Sequence, residues 1–358
     1  MKIAVYTIAL NEEKFAARWA DAAASADYRL VADTGSTDGT IGILEAAGVT
    51  VHRICVRPWR FDHARNAALA LLPADIDICL SVDMDEVLQP GWRAALLEAW
   101  KPGTTRLRCP LEIDIGADGI AKRHFISSRI HHRFGYSWKY PIHEIIAPAA
   151  GMAEQSVVTD KLRIRHLPDD EKSRGQYLPM LENAAAEAPD DDRLAHYYGR
   201  ELMFHGRHEE AIRELRRHLS LPRATWKPER AASLRFIGRC LKSLGKPKEA
   251  RAALLEACAE APDLREPWHD LAKFAMDEKD WQGGVWAVTR TLAITEMSGE
   301  HTRDAKAWGY GPYDVGSICA YYTGQLELAR AWLQKALELA PGDPRLLKNA
   351  EWIFGKEE

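Results

Sequence analysis

No stretch of this 358-residue chain stays apolar long enough to form a bilayer-crossing helix. Neither sign of charge dominates. The 48 Lys and Arg against 52 Asp and Glu leave a net charge of -4, so global charge gives no reason to expect nucleic acid or an anionic membrane. Six cysteines, at 55, 79, 109, 240, 258 and 319, include no CxxC pair and no metal-like spacing. Free thiols buried as small apolar residues in a reducing compartment are expected. A signal-peptide pattern is also missing, because Met1-Lys2-Ile3-Ala4-Val5 runs straight into an expected strand, and the expected location is cytoplasmic.

What is present divides near residue 170. Over residues 1–170, apolar runs at 3–9, 29–32, 49–54, 76–82, 106–111 and 162–164 alternate with helical patterns at 12–24, 40–47, 62–72 and 92–100. That alternation predicts an α/β domain of βαβ units around a mostly parallel, Rossmann-like sheet. The glycine-containing segment 112–161 is less regular and reads as hairpins or an acceptor-facing loop, with one further strand at 144–147. Over 171–358 the strand signals give way to an all-α pattern rich in Ala, Leu, Glu and Arg.

Within that helical part a theme recurs: Tyr198-Gly199…Gly206-Arg207-His208, then Ile237-Gly238…Gly245-Lys246-Pro247, then Tyr321-Tyr322-Thr323-Gly324-Gln325. The glycines at 206, 245 and 324, with Asp280 in a fourth slot, are spaced roughly 35 to 45 residues apart, close to the period of tetratricopeptide helical hairpins. A small residue at those positions is expected to let two helices approach closely. Such arrays bind partners, dimerise or brace a neighbour, so a homodimer through the repeats is one expectation. Trp268, Trp281, Trp286 and Trp332 fall at repeat positions and read as core.

Two apolar runs in the first part end abruptly in acids. Leu30-Val31-Ala32 leads into Asp33-Thr34-Gly35-Ser36-Thr37-Asp38-Gly39-Thr40, and Leu80-Ser81-Val82 into Asp83-Met84-Asp85-Glu86. Buried strands that deliver carboxylates to a sheet's carboxyl edge point to a nucleotide and a divalent cation. Strand alternation would turn Asp83 and Asp85 to one side, within reach of one hard cation, against the plainer reading of a solvated acidic loop. Ser36, Thr37 or Asp38 reads as a helix cap, whereas Asp33 is suited to accept hydrogen bonds from a base or ribose.

Four motifs in order, Thr7-Ile8-Ala9-Leu10-Asn11-Glu12-Glu13, Asp33 to Thr40, Ala64-Arg65-Asn66-Ala67-Ala68 and Val82 to Glu86, resemble the family 2 glycosyltransferases of GT-A fold. Among these the chain is most similar to sublancin-type peptide S-glycosyltransferases and their bacterial and phage relatives, in which repeats after the catalytic domain are a familiar arrangement. The resemblance implies a metal-dependent inverting transfer of a hexose from a UDP-sugar, UDP-glucose being the nominal donor. Thr7, Glu12 and Asp33 would then hold the nucleoside and Arg65 the diphosphate, with Asp83 and Asp85 on Mn²⁺ or Mg²⁺. A late His166 would complete the metal ligands, suiting Mn²⁺ better than Mg²⁺. Lys172 or Arg174 would meet the leaving diphosphate, and Glu144, ahead of His143, would take the acceptor's proton. His143 and Glu144 as a structural pair, and Lys172 and Arg174 as ordinary surface charges, are the alternatives.

The basic run Lys122, Arg123, His124, Arg129, His131, His132, Arg133 and Lys139 reads as a solvated face or as an acceptor surface for an anion, DNA included. Trp59 and Trp138 are candidates for stacking on a sugar. The acceptor stays open among a peptide, a modified DNA base and a glycan. Two other functions compete. One is a non-catalytic nucleotide-sugar-binding scaffold. The other is a nucleotidyltransferase, whose glycine-rich basic loop is replaced here by Leu10-Asn11-Glu12-Glu13.

Overall fold

The computed structural model describes residues 1–116, 121–168, 177–296 and 304–355. The chain divides into two compact units, Met1–Ala184 and Ala185–Glu358. In the first, β1 (Ile3–Ala9), α1 (Glu13–Ala22), β2 (Tyr28–Asp33), α2 (Thr40–Ala46), β3 (Thr50–Arg53), α3 (Phe61–Ala70), β4 (Ile78–Ser81), β5 (Glu86–Leu88) and α4 (Trp92–Ala99) come first. Then follow β6 (Arg106–Ile115), β7 (Ala121–His132), β8 (Tyr136–Lys139), β9 (Ile145–Pro148), β10 (Ser156–Val158), β11 (Ile164–His166) and α5 (Tyr177–Glu187), which runs past the division.

The main sheet has the order β3-β2-β1-β4-β7-β6-β11-β5, with β10 beside β6. Its first four strands are parallel, but β7 runs antiparallel to both β4 and β6, and β5 antiparallel to β11. The sheet is therefore mixed rather than mostly parallel. The irregular stretch after 112 continues the long β6–β7 hairpin and a separate β8–β9 ribbon.

Alternation along β1 explains why both faces are covered. Ile3 and Val5 pack with Phe15, Trp19, Leu44 and Leu96 on one face; Ala4 and Tyr6 pack with Ala68, Leu69, Trp138 and Ile146 on the other. Chain order reverses between β1 and β4, so the edge beyond their carboxyl ends is the crevice where open α/β sheets bind ligands.

A buried relay fixes the second face. Trp138 Nε1 donates to Tyr6 Oη at 2.9 Å, and Tyr6 Oη lies 3.1 Å from His131 Nε2. His131 Nδ1 in turn is 2.8 Å from the His132 carbonyl. The geometry requires a proton on Nδ1 and a neutral ring with Nε2 accepting from Tyr6. Burial lowers the His131 pKa to about 4. The basic-surface reading therefore fails at His131, which is wholly buried, and at Arg133, whose guanidinium donates to the carbonyls of Leu72 and Pro73. Because the unfolded histidine binds a proton near its reference value of 6.5 and the native one resists it until about 4, stability falls as pH drops through this window. Urea denaturation at pH 7.5 and 5.0 is expected to show the wild type losing about 2 kcal/mol more than His131→Gln. An equal loss in both proteins would remove the histidine from the acid response.

The second unit is a helical-repeat domain. Its helices are α6 (Asp192–Phe204), α7 (His208–Ser220), α8 (Lys227–Ser243), α9 (Pro247–Glu260), α10 (Arg265–Asp277), α11 (Trp281–Ala293), α12 (Ala305–Trp308), α13 (Gly311–Tyr322), α14 (Leu326–Leu339) and α15 (Pro344–Ile353). Pairs α6–α7, α8–α9, α10–α11 and α13–α14 form the hairpins. Asp191, Asp280 and Asp343 accept from backbone N–H groups at the starts of α6, α11 and α15.

Glycine use differs from the sequence expectation. Gly206, Gly245 and Gly324 have φ near +70° and open space around them, so they end helices rather than seat neighbours. The fourth position of this kind is Lys279, at φ +60°, not Asp280. Close approach occurs instead at Gly199 and Gly238, where an added Cβ would lie 2.6 Å from Leu215 Cγ and 2.8 Å from Leu254 Cγ.

Candidate functional site

At the carboxyl edge of β1 and β2, two loops are laced together by short polar bonds. Asn11 Oδ1 accepts from Thr37 N at 2.8 Å, and Ser36 Oγ from Asn11 N at 2.9 Å. Glu13 Oε2 accepts from Gly39 N at the start of α2, and Gly39 has no room for a Cβ beside that carboxylate. Thr40 Oγ1 accepts from Glu12 N at 2.7 Å. Much of the Asn-Glu-Glu and Asp-Thr-Gly-Ser motifs is thus architecture, since they lock the loops after β1 and β2 to each other.

Thr7, Glu12 and Asp33 all stand at this edge, yet they are only 1%, 8% and 1% exposed. Thr7 Oγ1 donates to the Ile8 carbonyl. Asp33 Oδ2 accepts from the backbone N–H groups of Gly35 and Ser36, each at 3.0 Å. The sequence reading exempted Asp33 from structural duty; in the fold it organises its own loop, as a short carboxylate beside φ-positive Gly35 can.

Beyond β4 the chain does not continue as a strand. Asp83 O accepts from Glu86 N at 2.9 Å and Asp83 N donates to Glu86 Oε2 at 2.8 Å, closing a turn over 83–86. The turn sends the two aspartates to different partners, which corrects the expectation that Asp83, Asp85 and His166 share one cation.

Asp83 Oδ1 is 2.7 Å from Arg65 and Asp83 Oδ2 is 2.7 Å from Arg129. Asp85 Oδ2 instead faces His166 Nε2 at 3.3 Å. Among the described residues no group of three or more His, Cys, Asp or Glu could hold a metal ion. The donors that do meet are the Asp85 carboxylate and the His166 imidazole. Their side chains, 17% and 33% exposed, remain accessible. The His166 pKa is raised, chiefly by the hydrogen bond to Asp85 against the opposing effect of burial.

Arg65, on α3, ties the turn to the segment after β8. Its Nε donates to Glu144 Oε1 at 2.6 Å, its Nη1 to Ser81 Oγ at 3.3 Å, and its guanidinium lies 4.9 Å over the Trp138 ring. Trp138 is 3% exposed and gives its N–H to Tyr6, so it is a floor under Arg65 and not a sugar-stacking surface. Trp59 packs edge-on against Phe61. Glu144 follows two residues with left-handed backbone, Tyr140 (φ 79°) and His143 (φ 52°), and His143 lies edge-to-face with Tyr177 rather than paired with Glu144 in any hydrogen bond given for it. Lys172 and Arg174 lie outside the described residues.

Arg129, on β7, is the residue whose role the sequence hid. It bridges Asp83 and Glu86, with 2.6 Å to Glu86 Oε1 and 3.1 Å to Glu86 Oε2. Burial alone would raise the Asp83 pKa, but Arg65 and Arg129 outweigh it and hold the carboxyl well below the ordinary carboxylate range. Glu86, 2% exposed, is pushed up by burial, which Arg129 only partly offsets. Both arginines are held firmly in the charged form, the facing carboxylates outweighing desolvation. Arg129 was visible only as one cation in a basic run, with nothing local to mark its partners.

Residues 313–343 match the tetratricopeptide repeat family, and no curated protein matches the chain. Solved structures similar to it include the Pseudomonas aeruginosa protein PilF at 16% identity and TM-score 0.38, covering 48% of this chain and 71% of that one. The type IV pilus biogenesis factor PilW is 16% identical with TM-score 0.41, over 48% and 72% of the two chains. YrrB, described as a tetratricopeptide protein with an unusual peptide-binding site, is 18% identical with TM-score 0.36, over 49% and 82%. Among the described residues no helix is long and apolar enough to cross a membrane.

Proposed function

We propose that the first unit transfers a hexose from a nucleoside diphosphate sugar, such as a UDP-sugar, to a nucleophilic acceptor, the GT-A reading of its sheet. The observation that supports it best is the accessible Asp85–His166 pair at the switch-point edge, beside a carboxylate held by two arginines. One carboxylate and one imidazole fit Mn²⁺, and Mg²⁺ less naturally, when substrate phosphates and water supply the other ligands. Bound there, the cation would neutralise charge building on the leaving diphosphate.

The chain's own groups carry the rest. Arg65, fixed by Trp138, Ser81 and Glu144, sets a positive charge beside the turn. Asp83, its charge balanced, accepts from a donor-sugar or ribose hydroxyl. Transfer breaks the anomeric carbon–oxygen bond, whose electron pair leaves on the diphosphate, while the acceptor's heteroatom bonds to that carbon and its proton passes to Glu144. Oε1 of Glu144 is committed to Arg65; Oε2 has no hydrogen bond among the described residues and is the atom to receive it. Thr7, Glu12 and Asp33 fall to the nucleoside side by position. The peptide, DNA-base and glycan acceptors stay equal, although the loss of His131, Arg133 and Arg129 from the basic face weakens the DNA case.

A second reading is favoured by the tetratricopeptide match at 313–343, namely that the protein is a repeat scaffold whose first unit binds a nucleotide sugar without turning it over. Incubation with UDP-glucose and related UDP-sugars plus Mn²⁺ separates the two, since slow hydrolysis needs no acceptor. UDP release that stops in excess chelator supports the transferase. Thermal stabilisation by UDP and Mn²⁺ with no release, even in the presence of candidate acceptors, supports the scaffold.

A further inference from the structure

We infer that Arg129 is a positioning residue that, together with Arg65, withholds Asp83 from a cation seated on Asp85 and His166, so that the protein alone offers a weak two-donor site which the diphosphate must complete. This rests on the proposed cation role of Asp85 and His166. Each oxygen of Asp83 is taken by a different guanidinium at 2.7 Å. A carboxylate held on both oxygens by charged donors gives up those bonds to become a metal ligand, and nothing returned by a lone aqueous ion replaces the cost of stranding two buried guanidiniums. Arg129 is in turn fixed by Glu86, whose 2% exposure leaves it no solvent to fall back on. Glu86 also receives the Asp83 N–H, so the same carboxylate shapes the turn and anchors the arginine that restrains its neighbour.

Consequently the cation and the nucleotide bind as a pair. A permanently filled three-ligand site would hold metal without substrate, whereas two donors plus phosphate oxygens hold it only when the donor is present.

The test uses Mn²⁺ alone, titrated calorimetrically into the full chain. Arg129→Met by itself would strand Glu86 and risk the fold, so the informative protein is Arg129→Met/Glu86→Gln, which removes one charge of each sign. Its net charge is unchanged, so any gain in affinity is not a long-range field effect. Glutamine still accepts the Asp83 N–H and keeps the turn.

The double variant is expected to fold as the wild type does by circular dichroism and to bind Mn²⁺ at least about tenfold more tightly, because Asp83 is now free to reach it. Adding Asp83→Asn should return the affinity to the wild-type level. Equal affinity in the double variant and wild type, or a gain that survives Asp83→Asn, overturns the inference. The transferase reading fails separately: a gain in Mn²⁺ affinity accompanied by no UDP-sugar hydrolysis in the wild type upholds the clamp and sinks the enzyme.

Discussion

Asp85→Asn is expected to lower UDP-sugar hydrolysis by at least about a thousandfold while shifting the thermal midpoint little. The two halves of that expectation have different sources. On the chemical side, Asp85 is the only carboxylate of the turn not spent on an arginine, so it alone can offer an anionic oxygen to a cation beside His166. Replacing it by an amide keeps shape and removes charge, which leaves the diphosphate without its counter-ion as it departs. On the stability side, the side chain makes one hydrogen bond at 3.3 Å to a partly exposed imidazole. Bonds of that kind contribute about 0.5–1.5 kcal/mol.

The comparison with Asp83→Asn sharpens the test. That change weakens two charged contacts to guanidiniums buried around Glu144 and Glu86, so it should cost more stability than the Asp85 change. If Asp85→Asn retains full hydrolysis, or if excess chelator leaves hydrolysis untouched, the cation role at Asp85 is wrong. If instead Asp83→Asn alone abolishes Mn²⁺ dependence, the division of labour between the two aspartates is reversed.

The sequence made the scaffold of this site readable and hid its wiring. β1 was legible because Ile3, Val5, Ala4 and Tyr6 are all apolar and a strand buried on both faces needs nothing else. The location of Asp33 and Asp83 at strand ends followed from the abrupt change from apolar to acidic residues. What Asp83 does was not legible, because its partners come from α3 and β7, 18 and 46 positions away, and no local pattern encodes an ion pair across a sheet. The supposed alternation of Asp83 and Asp85 failed for a related reason. It assumed that the strand continued, whereas Glu86, anchored by Arg129, folds the chain into a turn at that point. Trp138 and His131 were misplaced on the surface by composition alone. Aromatic and imidazole groups look solvent-facing in a basic run until a buried tyrosine is found to join them.

In the helical unit, Gly199→Asn is expected to cost more than about 3 kcal/mol, and the order of substitutions at Gly199 should be the reverse of that at Gly206. At Gly199 on α6 an added Cβ would meet Leu215 Cγ at 2.6 Å, Leu215 Cδ2 at 2.8 Å and the Leu215 backbone N at 3.2 Å. Leu215 is fully buried, so its side chain has nowhere to go, and a backbone atom cannot step aside. Alanine there gains about 1 kcal/mol of helix propensity, which offsets part of the clash. Asparagine adds bulk without that gain and must be worse. Gly206 has open space and φ +72°, so its constraint is conformational. Alanine pays the left-handed penalty of about 1–2 kcal/mol, and asparagine, which enters that region more easily, pays less. Lys279 already occupies the equivalent left-handed position before α11, so the fold tolerates a side chain at that point of the hairpin. Chemical denaturation of the four variants, with the wild type alongside, reads out the ranking. Asparagine better than alanine at 206 and worse than alanine at 199 means that the repeat glycines do two different jobs. The same ranking at both sites would mean that the helices are not in contact at Gly199.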